Sequence, residues 1–323
     1  MVRTVVGVVR GGNSNEYDLS LKTGAAVLSA LPQERYDVQD IFIDRQGIWH
    51  RRGIPSAPVR ALSQLDVVFN AVHGGMGEDG TVSRIVERAG IPLVGSAAFP
   101  SALSYDKGRA RDILVRYGIR MPEGVYFTLN DRMDTGEMAR IAFSRFPAPY
   151  MVKPAHDGAS HGIRIARTII ELPDVIADVL DIYGAVVVED FVRGHDVSVG
   201  VIEGFRNESL YVLPPAHMIV SDGSHFIHSQ LHRDQGITYK VPSNFSHTDK
   251  QKLMTAARQA HQILGLGHFS RADFILTPRG PYLLEVNAVP GLYEGSSFPH
   301  MLESVGSSVR EFAEHGIRRA RGL

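Results

Sequence analysis

Residues 271–291 read RADFILTPRGPYLLEVNAVPG. Two apolar runs flank Pro278-Arg279-Gly280, a turn-forming triplet. A hairpin folded about Arg279 sets Asp273 opposite Glu285 and Arg271 opposite Asn287. Strand side chains alternate faces, so all four then point the same way. Two carboxylates, a carboxamide and a guanidinium on an apolar ribbon are costly to bury without partners. Divalent cations and phosphates suit such a face.

Composition bounds the rest. The chain has 323 residues, enough for two or three domains. It is 44% hydrophobic and 21% charged, as expected of a globular enzyme. A net charge of -1 gives no sign of a nucleic-acid or membrane surface. The absence of cysteine excludes disulfides, thiolate metal sites and a cysteine nucleophile. The opening MVRTVVGVVRGG is too short in its apolar core for a signal peptide and reads as a first strand. No run approaches the roughly 20 apolar residues of a membrane span. A cytoplasmic protein is the expectation.

The N-terminal third alternates strand and helix signals. Strands are expected at Val5–Val9, Val38–Ile43, Val67–Val72 and Ile91–Val94, with helices to about Ala30 and over Thr81–Ala89. Asp18 and Ser20 are candidate caps of the first helix. This pattern predicts a mainly parallel sheet, with ligands at the strand C-terminal ends. Those ends carry Gly11-Gly12 and His73-Gly74-Gly75.

Further on, Asp106 can cap a helix stopped by Gly118, and the stretch after Met121-Pro122 reads as loop and then helix. Tyr150–Ala155 and Ile163–Ala166 read as a hairpin around a small polar loop. Val186–Val192 and Val197–Ile202 read as strands, and Thr248–Leu264 as a long helix. Domains are expected over roughly 1–100, 101–184 and 185–323.

Among nucleotide motifs, a P-loop is excluded because the chain contains no Gly-Lys dipeptide. Glu78-Asp79 inside the glycine-rich residues 74–80 would repel a pyrophosphate unless a metal intervened. The better phosphate candidate is Lys153, which ends a strand before the small-residue loop His156–Gly162. Lys107, just inside a helix start, is a second candidate. The run VVVEDFV at residues 186–192 could offer backbone groups to an adenine edge while Asp196 reaches ribose hydroxyls; an edge strand with exposed acids fits the same pattern.

Taken together, these features resemble the ATP-grasp superfamily. More narrowly, the chain is similar to the D-alanine–D-alanine ligase family. The resemblance runs through Gly11-Gly12 with Glu16 and Ser20, HGGMGEDG (73–80), SALSYDK (101–107), MVKPAHDGASHG (151–162), VVVEDFVRGHDVSV (186–199), SRADFIL (270–276) and LLEVNAVPG (283–291). It implies an α/β fold, with an N-terminal parallel-sheet domain before two ATP-grasp subdomains that hold nucleotide between them.

The resemblance also implies roles. Lys107 and Lys153 would hold ATP phosphates, and the loop bearing Ser160 would close over them. Glu189, Phe191 and Val192 would face adenine, and Asp196 the ribose. Asp273, Glu285 and Asn287 would bind two magnesium ions, or manganese in their place. Arg271 and the Gly291 N–H would stabilise an oxyanion. Glu16 would hold the ammonium of a first amino acid beside His73, and Ser296 and Ser297 the carboxylate of a second. The reaction would join them through an acyl phosphate. A D-alanine pair destined for peptidoglycan is the leading expectation, with other amino-acid or hydroxy-acid pairs as the alternative. Small-molecule substrates and a homodimer are the implied partners.

Two departures from the family pattern stand out. The usual Ser-Ser pair of the phosphate loop is Ala159-Ser160, and the usual Glu-Ala-Lys-Tyr stretch is replaced by FIHSQLHRD (226–234). The expected hydrogen-bonded link from serine through tyrosine to Glu16 is therefore missing. His232 or Arg233 could replace the lysine at the γ-phosphate. His225, His228 and His232 are loosely spaced like zinc ligands, but phosphate-facing or solvated histidines are the better reading.

Overall fold

The first apolar run forms the middle of a sheet. In the computed structural model, which describes residues 3–158, 160–220 and 236–323, β1 (Thr4–Gly11) pairs in parallel with β2 (Tyr36–Ile43) and β5 (Val67–Asn70). The parallel strand β6 (Leu93–Val94) and the antiparallel strands β3 (Trp49–Arg51) and β4 (Ile54–Pro55) complete the order β4-β3-β2-β1-β5-β6. Val6, Val8, Val67 and Phe69 are buried in its core.

Helix α1 (Tyr17–Ala30) starts earlier than expected. Glu16 occupies its N-cap position, without a side-chain capping bond. Ser20 is not a cap. Its hydroxyl accepts from the Gly11 N–H and donates to the Ala71 carbonyl, each at 2.8 Å. Buried strand-end groups need partners, and Ser20 supplies them. The short α2 (Pro58–Ala61) and α3 (Thr81–Arg88) follow. Next come α4 (Ala98–Tyr105) and α5 (Lys107–Arg116), the latter capped by Asp106 through the Arg109 N–H at 3.0 Å. Ala110 and Leu114 of α5 share a core with Val197, Val199 and Phe274 far along the chain.

The stretch after Pro122 is not a loop first. It contains β7 (Gly124–Thr128), which joins β8 (Tyr150–Pro154), β9 (Arg164–Ala166) and β10 (Ala185–Asp190) in the order β7-β10-β8-β9. Helices α6 (Thr135–Arg145) and α7 (Leu172–Tyr183) cover this sheet. β10 has antiparallel partners on both sides. The edge-strand reading of residues 186–192 is thereby corrected, and Glu189 is only 3% exposed. The change of sheet falls between Asp190 and His195, a few residues beyond the division expected at 184.

The last sheet has the order β14-β13-β11-β15-β16, with β12 paired to β11. Its strands are β11 (His195–Glu203), β12 (Leu210–Val212), β13 (Ala216–Val220), β14 (Ile237–Lys240), β15 (Phe269–Thr277) and β16 (Gly280–Asn287). Helix α8 (His247–Ile263) packs on it through Leu253, Ala257 and Ala260, while α9 (Ser297–Ser304) and α10 (Val309–Ala320) bury Phe298, Met301 and Phe312 toward the N-terminal sheet. Among the described residues no helix is long and apolar enough to cross a membrane.

The hairpin β15–β16 has the expected pairs, Arg271 with Asn287 and Asp273 with Glu285. Its turn is tighter than expected: Thr277 pairs with Gly280, leaving only Pro278-Arg279 between them. A register shift after Asp273 reconciles the two ends. Phe274 pairs with Leu283, and Leu284 is left over as a β-bulge. Leu283 therefore faces the core, while Leu284, Glu285 and Asn287 line a cavity on the opposite face.

Candidate active site

The cavity lies between the central and C-terminal sheets, with the ends of the N-terminal strands closing one side. Glu16, His73, Lys107, Lys153, Ser160, Glu189, Phe191, Val192, Asp196, Arg271, Asp273, Glu285, Asn287, Gly291 and Ser297 all line it. Ser296 is not part of that lining. His232 and Arg233, with His225 and His228, lie outside the described residues.

On one wall, Lys153 at the end of β8 reaches Glu189 on β10, Nζ to Oε2 at 2.6 Å. Arg111 of α5 holds the other oxygen of Glu189 at 3.0 Å and also donates to the Pro122 carbonyl. A carboxylate buried this deeply needs such partners. Arg111 was not foreseen, since nothing local on an amphipathic helix marks a partner 78 residues away. Glu189 is thus the anchor of two cations as well as part of the cavity wall. Pro122, Met151, Ile163, Ile275 and Leu284 add an apolar surface beside Phe191 and Val192. Asp196, at the start of β11, is pushed up to about 7 by burial and by Asp273.

On the opposite wall, Asp273 is surrounded by donors. Ser198 Oγ donates to it at 2.7 Å, Arg271 Nη2 at 2.8 Å and Asn287 Nδ2 at 2.9 Å. Lys107 Nζ lies 3.2 Å from Glu285 Oε2. Burial favours neutral Glu285, but Lys107, Lys153 and Arg271 outweigh it and hold this carboxyl below its ordinary value. Burial likewise disfavours charged Lys107, and Glu285, Glu16 and Glu78 more than offset it. Lys107 is thus a largely buried, paired lysine rather than a solvated one.

The donor set of this wall is two carboxylates and one carboxamide, all hard oxygen ligands. Among the described residues no group of three or more His, Cys, Asp or Glu side chains is placed to enclose a metal. Asp273, Glu285 and Asn287 would make up part of a coordination shell, with phosphate and water oxygens as the rest. That fits magnesium, which prefers a few carboxylate oxygens plus phosphates and water.

The N-terminal strand ends supply the third side. Glu16 is pushed up to about 8, first by burial and then by Glu78 and Asp157. Glu78 is pushed up to about 7, chiefly by burial, and accepts the Gly74 N–H at 3.0 Å. The Gly74 N–H and Lys107 offset part of this rise, and Glu285 adds to it. A Cβ on Gly158 would stand 2.3 Å from Glu16 Oε2, and one on Gly74, at φ +60°, would stand 2.5 Å from the same oxygen. Only glycine lets both loops press on Glu16. His73 is buried, with Nε2 2.7 Å from Thr23 Oγ1, and burial together with Arg271 lowers it to about 3. It is a neutral, positioned imidazole.

Near Arg271 lie Tyr239 and Tyr293, both missed in the sequence and both pushed up, first by burial. The Gly291 N–H has no acceptor among the described residues. Ser296 Oγ turns back to the Gly291 and Tyr293 carbonyls, at 2.6 and 2.9 Å. Its hydroxyl is therefore committed to the loop, and Ser297 is the serine that faces the cavity.

Residues 113–317 match the family model described as D-ala D-ala ligase C-terminus, and residues 5–59 and 52–96 match D-ala D-ala ligase N-terminus. The chain belongs to the D-alanine–D-alanine ligase family. It is an ATP-dependent ligase with the ATP-grasp fold, and this family uses ATP and a divalent metal.

A D-alanine–D-alanine ligase from Anaeromyxobacter sp. (strain Fw109-5) is 33% identical over 313 residues, covering 96% of this chain and 94% of its own. One from Flavobacterium johnsoniae is 30% identical over 325 residues, covering 97% and 98%. The VanG D-Ala:D-Ser ligase of Enterococcus faecalis superposes with a TM-score of 0.84 at 26% identity, over 99% of this chain and all of that one. D-alanyl-alanine synthetase A from Vibrio cholerae gives 0.86 at 24% identity, over 100% and 99%, and so shares the fold.

Proposed function

We propose that this ATP-grasp ligase joins two D-alanine molecules into the dipeptide used for peptidoglycan precursors. The observation that carries the reading is the meeting of three features in one cavity. These are the carboxylate of Glu16, the lysines at positions 107 and 153, and the oxygen-donor face of Asp273, Glu285 and Asn287.

Lys107 and Lys153 bind the ATP phosphates, and Ser160 with its loop covers them. Phe191, Val192 and the backbone beside Glu189 contact adenine, and Asp196 the ribose. Asp273, Glu285 and Asn287 would hold two magnesium ions, and these would supply charge neutralisation to the transferring phosphoryl group. Glu16 holds the ammonium of the first D-alanine, with neutral His73 beside it. The carboxylate of that D-alanine attacks the γ-phosphorus, the bond to the bridging oxygen breaks, and ADP leaves an acyl phosphate. The amine of the second D-alanine, its carboxylate near Ser297, then attacks the acyl carbon. Arg271 and the Gly291 N–H receive the oxyanion, and phosphate departs. Each such donor is worth about 3–4 kcal/mol of barrier. His232 and Arg233 are the candidates for the γ-phosphate contact that the family assigns to a lysine.

Phosphate release from ATP, magnesium and D-alanine tests the reading, with mass spectrometry of the product across a panel of D- and L-amino acids and hydroxy acids. D-Alanyl-D-alanine is the expected product. Release at the amino-acid-free background with D-alanine, together with turnover of another pair, would overturn the substrate assignment.

A further inference from the structure

Three loops meet above Glu16, and two side chains fasten them. Asn15, next to Glu16 in the chain, donates from Nδ2 to Asp157 Oδ2 at 2.9 Å, across 142 residues. The other oxygen of Asp157 accepts the Gly158 N–H at 2.8 Å, and Lys107 donates to the Asp157 carbonyl. Tyr105 forms the second fastening. Its hydroxyl accepts the Gly75 N–H at 3.0 Å and donates to the His156 carbonyl at 3.2 Å. The loop after β1, the loop after β5 and the phosphate loop are thus joined by the side chains of Asn15 and Tyr105, neither of which lines the main cavity. Gly158 meanwhile rests directly on Glu16.

The serine–tyrosine link to Glu16 expected from the family is missing here, because Ala159 and the stretch 226–234 lack its groups. We propose that Asn15 and Tyr105 are positioning residues that replace it: they clasp the phosphate loop to the N-terminal loops, so that nucleotide binding sets the carboxylate of Glu16 for the first amino acid. The assignment of Glu16 rests on the function proposed above; the clasp itself requires only nucleotide binding. An amide donor matches the Asp157 carboxylate, and a hydroxyl that both accepts and donates suits a bridge between an N–H and a carbonyl. Ordering one loop then orders the other, a coupling that is energetic and reciprocal.

The test uses the full chain, a nonhydrolysable ATP analogue with magnesium, and amide hydrogen exchange of the peptide spanning residues 12–20. Nucleotide is expected to protect this peptide in the wild type. Asn15→Asp, which sets a carboxylate against Asp157, loses most of that protection, and Tyr105→Phe loses part of it. The charge-neutral exchange Asn15→Asp with Asp157→Asn restores a donor–acceptor pair and recovers protection. In steady state, Asn15→Asp raises the KM for D-alanine roughly tenfold and, because the coupling is reciprocal, raises that for ATP at saturating D-alanine as well, the scale of one lost hydrogen bond. Unchanged thermal melting separates this from loss of fold, and Asn15→Ala serves if Asn15→Asp does not fold. Wild-type protection in the single variants, or an exchanged pair no better than Asn15→Asp, overturns the clasp. Failure of the wild type to use D-alanine would sink the substrate reading alone, since nucleotide-dependent protection still decides the clasp.

Discussion

Lys153 Nζ sits 2.6 Å from Glu189 Oε2, and neither side chain is more than 7% exposed. With Arg111 on the second oxygen, Glu189 balances two buried cations. Glu189→Gln leaves both cations facing a neutral amide and should cost about 3–5 kcal/mol of stability. Lys153→Met keeps the Arg111 pair, so its larger effect should be on nucleotide, a rise of roughly 10–100-fold in the KM for ATP. Urea denaturation and initial rates check the pair. A Glu189→Gln protein as stable as wild type would remove Glu189 from its structural role.

Acid–base behaviour follows from Glu16 and Glu78. Their folded values of about 8 and about 7 lie above the ordinary carboxylate range. Between about pH 4.5 and 8 the folded chain therefore holds protons that the unfolded chain has released. Stability of the ligand-free protein should fall as pH rises through this window. Affinity for an ammonium substrate should rise across the same range, as the carboxylates ionise. Urea midpoints and the KM for D-alanine against pH test both slopes, and Glu16→Gln should flatten them. A flat profile in the wild type would contradict the buried-proton account.

The oxygen-donor face predicts a dependence on divalent metal. Chelation should stop turnover, and magnesium or manganese should restore it. Glu285→Gln removes one of two carboxylates and should lower kcat by roughly 100-fold or more, with the protein still folded. A fully active Glu285→Gln enzyme would refute its role in metal binding.

Far from the cavity, Glu203 accepts the His268 N–H at 2.9 Å and Arg319 Nη2 at 2.7 Å. Burial alone would raise this carboxyl, but His261, the His268 N–H and Arg319 outweigh it and bring it down to about 2. A lowered carboxyl stabilises above its ordinary value of 4.5 and loses that contribution as pH falls toward 2. Glu203→Gln should therefore cost about 2 kcal/mol near neutrality, discounted for partial exposure. The gap to wild type should close in acid. Denaturation curves at several pH values decide it.

The site was legible wherever chemistry is written locally. Asp273, Glu285 and Asn287 announce themselves because charges at alternating positions in an apolar ribbon need partners. What escaped depended on contacts between distant segments. Tyr239 and Tyr293 reach the cavity from β14 and the loop after β16, Arg111 on α5 reaches Glu189 behind its wall, and no spacing in the sequence links them. Strand β7 was lost because its five residues follow a proline and carry only a brief alternation. Ser296 shows the opposite limit: the hydroxyl was correctly located along the chain, but its partners are backbone carbonyls that only the fold brings close.

The bulge at Leu284 has a consequence for how this hairpin can vary. Pairing, rather than residue count, sets Glu285 across from Asp273. A chain shortened by Leu284 alone would keep both carboxylates in register and would forfeit only a patch of apolar wall. The acidic and apolar surfaces of the cavity can thus change independently, one through the identity of the acids and the other through a single surplus residue.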